Sequence, residues 1–196
     1  GPGSFTGLRV GIATCLGLRR ATGLPLALVP TLEAMAKSLE MGTVPLCPML
    51  VSRRGEVYWA IFRRSGDGRL DRVVSEQVGT PGAFVKSLTE PTLVFGGGWL
   101  SLEAEIRAVL PKSVALTVGP NHVFKPSAVQ VARIGMERFR QGEIAGDFVA
   151  PLYIQRAEAE LQYERSGAVS AVARRRQRVE TKVAERLARG RRRSHR

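Results

Sequence analysis

The residues able to do chemistry are sparse, and several gather at the start of the chain. GPGSFTGLRVG (1–11) places two hydroxyls, Ser4 and Thr6, in a glycine-rich run that leads into an apolar stretch. Such a loop can cradle a phosphate, because free backbone N–H groups and the positive end of a helix both favour an anion. No lysine follows at the spacing of a P-loop, and the glycine fingerprint of dinucleotide folds is not met. The residues better support a turn in which Gly1 and Gly3 take backbone angles other residues resist, with Ser4 or Thr6 capping the helix that follows. A hydroxyl nucleophile also needs a base and a group to orient it, and this run holds neither.

The other candidates are weaker. His122 and His195 are not paired at helical spacing, so they do not read as metal ligands. Glu103 and Glu105, like Glu158 and Glu160, stand two apart, which on a helix puts them on different faces and argues against an acid–base pair. Tyr58 and Trp59 lie in a strand pattern and read as core rather than as a platform for a nucleobase. GGGW (96–99) follows a strand, where glycines can let a ligand approach. The competing reading is a tight turn plugged by Trp99. Cys15 and Cys47 have no motif spacing and are expected as two buried, reduced thiols.

The elements that must position these residues follow from periodicity. Residues 5–21 read as a helix with Leu8, Ile12, Cys15, Leu16 and Arg19 on one face, weakened by Gly11 and Gly17. LPLALVP (24–30) reads as a short buried strand, and 31–40 as a helix capped by Thr31. Three strands follow at 44–54, 55–64 and 68–78, the last two joined by an SGDG turn. The middle one is apolar on both faces, so both faces of its sheet should be covered. Helices at 80–89, 99–110 and 125–142 then alternate with strands at 91–98 and 113–119. In the last helix Ala128, Val131, Ala132 and Gly135 form the expected packing face. Three antiparallel strands followed by parallel strands with crossover helices is the ribonuclease-H-like order of the actin, Hsp70 and sugar-kinase superfamily. The expected fold class is therefore α/β, with a complete second lobe and a partial first one. The expected domains are a first-lobe remnant at 1–43, the second lobe at 44–160 and a basic tail at 161–196.

Composition bounds the function classes. An apolar share of 44% supports a core, and no run of 18 apolar residues suggests a membrane span. The net charge of +13 is uneven: residues 162–196 hold 12 Lys+Arg against 3 Asp+Glu and so carry +9 of it. Val172, Val179, Val183 and Leu187 could give part of this tail an amphipathic helix. Arg174, Arg175, Arg176, Arg178, Arg191, Arg192 and Arg193 are its candidate RNA contacts, reaching phosphates without an aromatic to read bases.

Five ordered blocks then carry a resemblance: GPGSFTGLRVGIATCLGL, VPTLEAMA, RRGEVYWAIF, VFGGGW and PLYIQRAEAE. Over roughly residues 1–160 the chain resembles the TsaB (YeaZ-like) family, partner subunits in bacterial synthesis of N6-threonylcarbamoyladenosine at position 37 of tRNA. A tag scar would explain Gly1–Ser4 but not the FTGLRVG pattern. The chain departs from the family at Val51-Ser52-Arg53, where Asp-Ala-Arg is usual, and at Tyr153-Ile154-Gln155, where Tyr-Leu-Arg is usual. The resemblance implies an N-terminally truncated member, whose first-lobe phosphate-loop strands lie outside the sequence. It implies a cytoplasmic, non-catalytic subunit that supports a TsaD-like enzyme. That enzyme family carries a His-rich metal motif which this chain lacks.

The complex would use ATP and a threonylcarbamoyl donor, while this chain is expected to bind no catalytic cofactor and no metal. A TsaE-like ATPase, tRNA and a second copy of the chain are further candidate partners. In the family, first-lobe helices pair with the partner's, which makes Leu8, Ile12, Cys15, Leu16 and Arg19 the candidate seam. Two other classes compete: an ATP-using enzyme of the same superfamily, and a basic RNA-binding module driven by the tail.

Overall fold

The computed structural model describes residues 1–39, 44–53, 55–66, 68–146 and 148–154. The tail and its candidate arginines, with His195, Glu158 and Glu160, lie outside them. In chain order the elements are α1 (Phe5–Thr22), α2 (Thr31–Ala36), β1 (Leu46–Val51), β2 (Val57–Arg64), β3 (Leu70–Gly79), α3 (Pro81–Lys86), β4 (Thr92–Phe95), α4 (Gly97–Val109), β5 (Leu116–Val118) and α5 (Ala128–Arg140). The sheet runs β3-β2-β1-β4-β5. β1, β2 and β3 pair antiparallel, while β4 joins β1, and β5 joins β4, in parallel. This is the ribonuclease-H-like order expected from the strand and helix pattern.

Alternation along the strands builds two cores. Cys47 and Met49 of β1, Val57, Trp59 and Ile61 of β2 and Val94 of β4 face one side, where Phe84 and Val85 of α3 and Trp99, Leu102 and Ile106 of α4 meet them. Leu46 of β1, Ala60 and Phe62 of β2 and Phe95 of β4 face the other, where Leu32, Met35 and Ala36 of α2 lie on them. Central strands buried on both faces read as nearly continuous apolar runs, which is why β2 looked two-sided. Tyr58 and Trp59 belong to these cores; the Trp59 indole donates to Ser87 Oγ at 3.1 Å and meets Phe84 edge-on at 5.7 Å.

Gly1–Ile154 form one compact unit. The expected boundary between 43 and 44 falls inside it, between α2 and the sheet that α2 covers.

Four expectations change. Residues 24–30 form no strand: the Leu26 carbonyl accepts from Ala145 N–H at 2.7 Å and the Leu28 carbonyl from the Arg138 guanidinium. Among the described residues no strand lies beside them. Thr31 does not cap α2; it is its first residue, and its N–H donates to the Gly1 carbonyl at 2.8 Å. In α5 the buried residue is Ile134, while Val131 is exposed at 39% and Ala128 and Ala132 are exposed too. Cys15 is exposed on α1 and only Cys47 is buried. Burial there pushes the Cys47 thiol far above its ordinary range, because the thiolate would be desolvated.

Candidate functional site

The start of α1 is built as a cap. Ser4 Oγ accepts from Gly7 N–H at 3.3 Å, which satisfies one of the helix's unpaired first-turn donors. Thr6 is exposed within the first turn, so Ser4 does the capping. Gly3 is not among the glycines with positive φ. Gly1 is needed for proximity: a Cβ there would stand 2.4 Å from the Leu152 carbonyl oxygen. Gly3 meets only the Leu8 side chain, at an ordinary 3.8 Å. At its far end α1 stops on Gly23, a left-handed residue at φ 72° whose N–H returns to the Arg19 carbonyl.

The 18 residues of α1 include none that is buried. One face is turned toward the segment 144–154. Arg19 donates to the Gly146 carbonyl at 2.7 Å, and Arg9 Nε donates to the Tyr153 hydroxyl at 2.8 Å. The Arg9 guanidinium also lies 3.9 Å above the Phe5 ring, and Phe5 stacks on Tyr153 at 5.1 Å. Of the five expected seam residues, Leu8, Ile12, Leu16 and Arg19 are half-buried on this inner face, and Cys15 is exposed beside it. The opposite face exposes Val10 at 61% and Leu18 at 60%. Sequence reasoning missed that face because its other positions are small residues with little hydrophobic signal.

The glycine run before α4 has an internal cause. Gly96 takes φ 100°, and a Cβ on it would fall 2.4 Å from the Met49 carbonyl oxygen. A Cβ on Gly98 would fall 2.8 Å from Leu50 backbone atoms. The glycines let the first turn of α4 cross β1 at backbone distance, and Trp99, 1% exposed, plugs the core beside them. The turn reading of GGGW accounts for these contacts without a ligand.

A polar cleft of about 500 Å³ lies among α2, β3 and α5, with Glu33, Lys37, Asp71 and Arg138 in its lining. Its charges largely answer one another. Arg138 grips both oxygens of Glu33 at 2.8 and 2.9 Å, Arg72 reaches Glu33 at 3.2 Å, and Lys37 pairs with Glu137 at 3.5 Å. This network ties α5 to α2. Glu103 is engaged by Arg107 one turn on, at 2.8 Å, and His122 is exposed in a loop. Among the described residues no three His, Cys, Asp or Glu side chains are grouped to hold a metal, and no helix is long and apolar enough to cross a membrane.

With the geometry in place, comparison with known proteins decides the family. The family model described as TsaD, tRNA N6-adenosine threonylcarbamoyltransferase, matches residues 1–163. The tRNA threonylcarbamoyladenosine biosynthesis protein TsaB of Escherichia coli (strain K12) is 30% identical over 161 residues, covering 79% of this chain and 68% of its own. The chain belongs to the TsaB family. A second TsaB, from Bacillus subtilis (strain 168), is 28% identical over 166 residues, 83% of this chain and 70% of that one.

Two Pseudomonas aeruginosa structures share the fold at 23% identity. One, an uncharacterised protein with similarity to peptidase YEAZ, has a TM-score of 0.63 and covers 79% of this chain and 70% of its own. The other, YeaZ, has a TM-score of 0.56 and covers 74% and 66%. In this TsaB-family chain, then, Ser4 caps α1 and Gly96, Gly98 and Trp99 pack the start of α4 on β1, while α1 contains no buried residue.

Proposed function

We propose that the chain is a non-catalytic accessory subunit in the synthesis of N6-threonylcarbamoyladenosine at position 37 of tRNA, acting by binding a TsaD-like enzyme through α1. The observation that carries this reading is α1 itself: 18 residues, none buried, with large apolar side chains in solvent. An exposed apolar helix face is costly for a lone chain and marks a protein contact. The names of the TsaB relatives place those proteins in the same biosynthesis. Ser4, Gly96 and Gly98 support the non-catalytic part, since each has a structural role visible in its contacts. In this reading the complex, in the cytoplasm, uses ATP and a threonylcarbamoyl donor that its other subunits bind, with a TsaE-like ATPase as a further partner. tRNA then reaches this chain through the complex.

The test is a tRNA modification assay with the TsaD-like enzyme encoded in the same genome. Modification should require both proteins, and the purified chain alone should give none. Turnover by the chain alone that is lost in Ser4→Ala or Thr6→Ala would overturn the reading.

A further inference from the structure

We infer that Phe5, Arg9 and Tyr153 form a stacking site for one unpaired base of a single-stranded RNA, and that Arg20 meets a phosphate farther along the same strand. The inference rests on the accessory-subunit reading and adds where on this chain the RNA substrate is held.

These rings are placed unlike the other stacked or edge-packed aromatics. Trp59, Phe84 and Trp99 are buried in the core, whereas Phe5 is 36% and Tyr153 40% exposed. Phe5 and Tyr153 are nonetheless set against each other, stacked at 5.1 Å with their planes 27° apart. Arg9 completes the group: its guanidinium lies 3.9 Å above the Phe5 ring, and its Nε donates to the Tyr153 hydroxyl at 2.8 Å. Arg9 thus meets Tyr153 at the hydroxyl, and a base can extend the stack by one layer on the exposed ring. Proteins hold unpaired bases in this way, on aromatic rings and arginine planes. The helix cap needs none of the three residues, because Ser4 supplies it.

The charge around the rings favours phosphate. Neither α1 nor segment 148–154 contains an Asp or a Glu. Arg9 and Arg20 are both exposed and stand three helical turns apart, on the line that starts at Phe5. Among the described residues Arg20 and the Nη groups of Arg9 have no hydrogen-bond or ion-pair partner. The positive end of the α1 dipole lies beside Phe5. From Arg9 to Arg20 the line runs roughly 16 Å at helical rise. A single nucleotide stacked on Tyr153 leaves Arg20 out of reach, while a strand of several nucleotides spans both arginines. A duplex keeps its bases stacked inside, so a single strand fits better. An acidic peptide answers the arginines but leaves the rings unused. Val10 and Leu18 lie off this line, so a strand of RNA leaves that side of α1 open.

The test uses the intact chain and a single-stranded RNA heptamer with 2-aminopurine at its centre, a base whose fluorescence falls on stacking. Binding should quench it. Tyr153→Leu keeps an apolar contact for Phe5 but removes the ring, so it should abolish the quench and weaken binding about tenfold. Tyr153→Trp should retain the quench, and it carries the test if the leucine variant fails to fold. Arg20→Ala should leave the quench intact and make log affinity fall less steeply with log salt, by about 0.7 in slope for one phosphate. Quench and slope that neither Tyr153→Leu nor Arg20→Ala alters would overturn the site. Adenosine monophosphate bound with the same dependence on Tyr153, while Arg20→Ala leaves heptamer binding untouched, would overturn the strand in favour of a free nucleotide. The reading beneath is measured separately, by tRNA modification with the TsaD-like enzyme encoded in the same genome, where Tyr153→Leu should raise the KM for tRNA. A wild-type chain that quenches the heptamer but supports no modification would defeat the accessory role and leave the stacking site standing.

Discussion

α1 and α4 are both glycine-bearing helices, and the same residue type has opposite causes in them. In α4 the glycines answer to the chain itself: Gly96 and Gly98 are where they are because β1 backbone occupies the space a side chain would need. Around them Trp99, Leu102 and Ile106 are buried. In α1 Gly11 and Gly17 face open space, and no residue of the helix is buried. A glycine explained by its neighbours reports on folding. One with no such neighbour leaves room for a side chain, and the described fold does not require it to be glycine.

The largest expected effect tests the α4 half of this contrast. Gly96→Ala must place a Cβ against the Met49 carbonyl oxygen at φ 100°, and the obstacle is backbone that cannot swing aside. Overpacking plus a strained φ should destabilise the fold by about 3–4 kcal/mol, read from chemical denaturation. A loss below about 1 kcal/mol would mean that the crossing of α4 over β1 is looser than drawn, and the contrast with α1 would weaken.

Much of the architecture was legible, and the reasons are local. The meander and the crossover helices announce themselves because strands buried on both faces must be apolar throughout, as Val57–Phe62 are. Ser4 and the glycines at 96–98 were recognisable as turn chemistry. What failed was what depends on distant parts of the chain. LPLALVP has a strand's composition, but its Leu26 and Leu28 carbonyls are taken by Ala145 and Arg138, more than a hundred positions away. Periodicity picks the most apolar stripe of α1, and that stripe is half-buried, on the side from which Arg9 and Arg19 reach Tyr153 and Gly146. In α5 the face toward α2 is marked by Ile134 and Arg138, and a charged residue does not register as an inward position until its partner, Glu33, is in view.

That ion pair yields the next prediction. Arg138 holds both Glu33 oxygens and the Leu28 carbonyl, with its side chain 24% exposed and that of Glu33 17%. Removing Arg138 leaves half-buried Glu33 with Arg72 alone and strips the Leu28 carbonyl of its donor, so Arg138→Ala should cost about 2 kcal/mol. In a double-mutant cycle with Glu33→Ala the coupling should exceed about 1 kcal/mol. Additive single effects would show that the Arg138–Glu33 contact itself does little to hold α5 on α2, and the cleft between them would lose its organising pair.

The two cysteines extend the comparison from α1 to the sheet. Cys47 is buried and holds its proton in the fold beyond the ordinary thiol value of 9.0, whereas Cys15 is exposed. The folded state therefore binds a proton that the unfolded chain releases above pH 9.0. Below that value the stabilisation is fully present; as pH rises past it, stability should fall by about 1.4 kcal/mol per unit until the folded thiol itself ionises. The difference between wild type and Cys47→Ala, measured by denaturation from pH 8 to pH 10.5, isolates this slope. Parallel curves for the two proteins would place water beside Cys47.

The smallest effect is the most direct test of α1. If Gly11 and Gly17 have no role inside the described chain, replacing either with alanine should only add helix propensity, worth about 1 kcal/mol where the helix unfolds with the domain. Because no residue of α1 is buried, part of that gain should instead appear as slower local opening, seen as increased hydrogen-exchange protection of amides 8–20 with a smaller change in global stability. Gly11→Ala and Gly17→Ala should therefore both strengthen the free helix. If alanine destabilised the free chain, the cause would lie within the fold, and α1 would stand with α4 rather than against it.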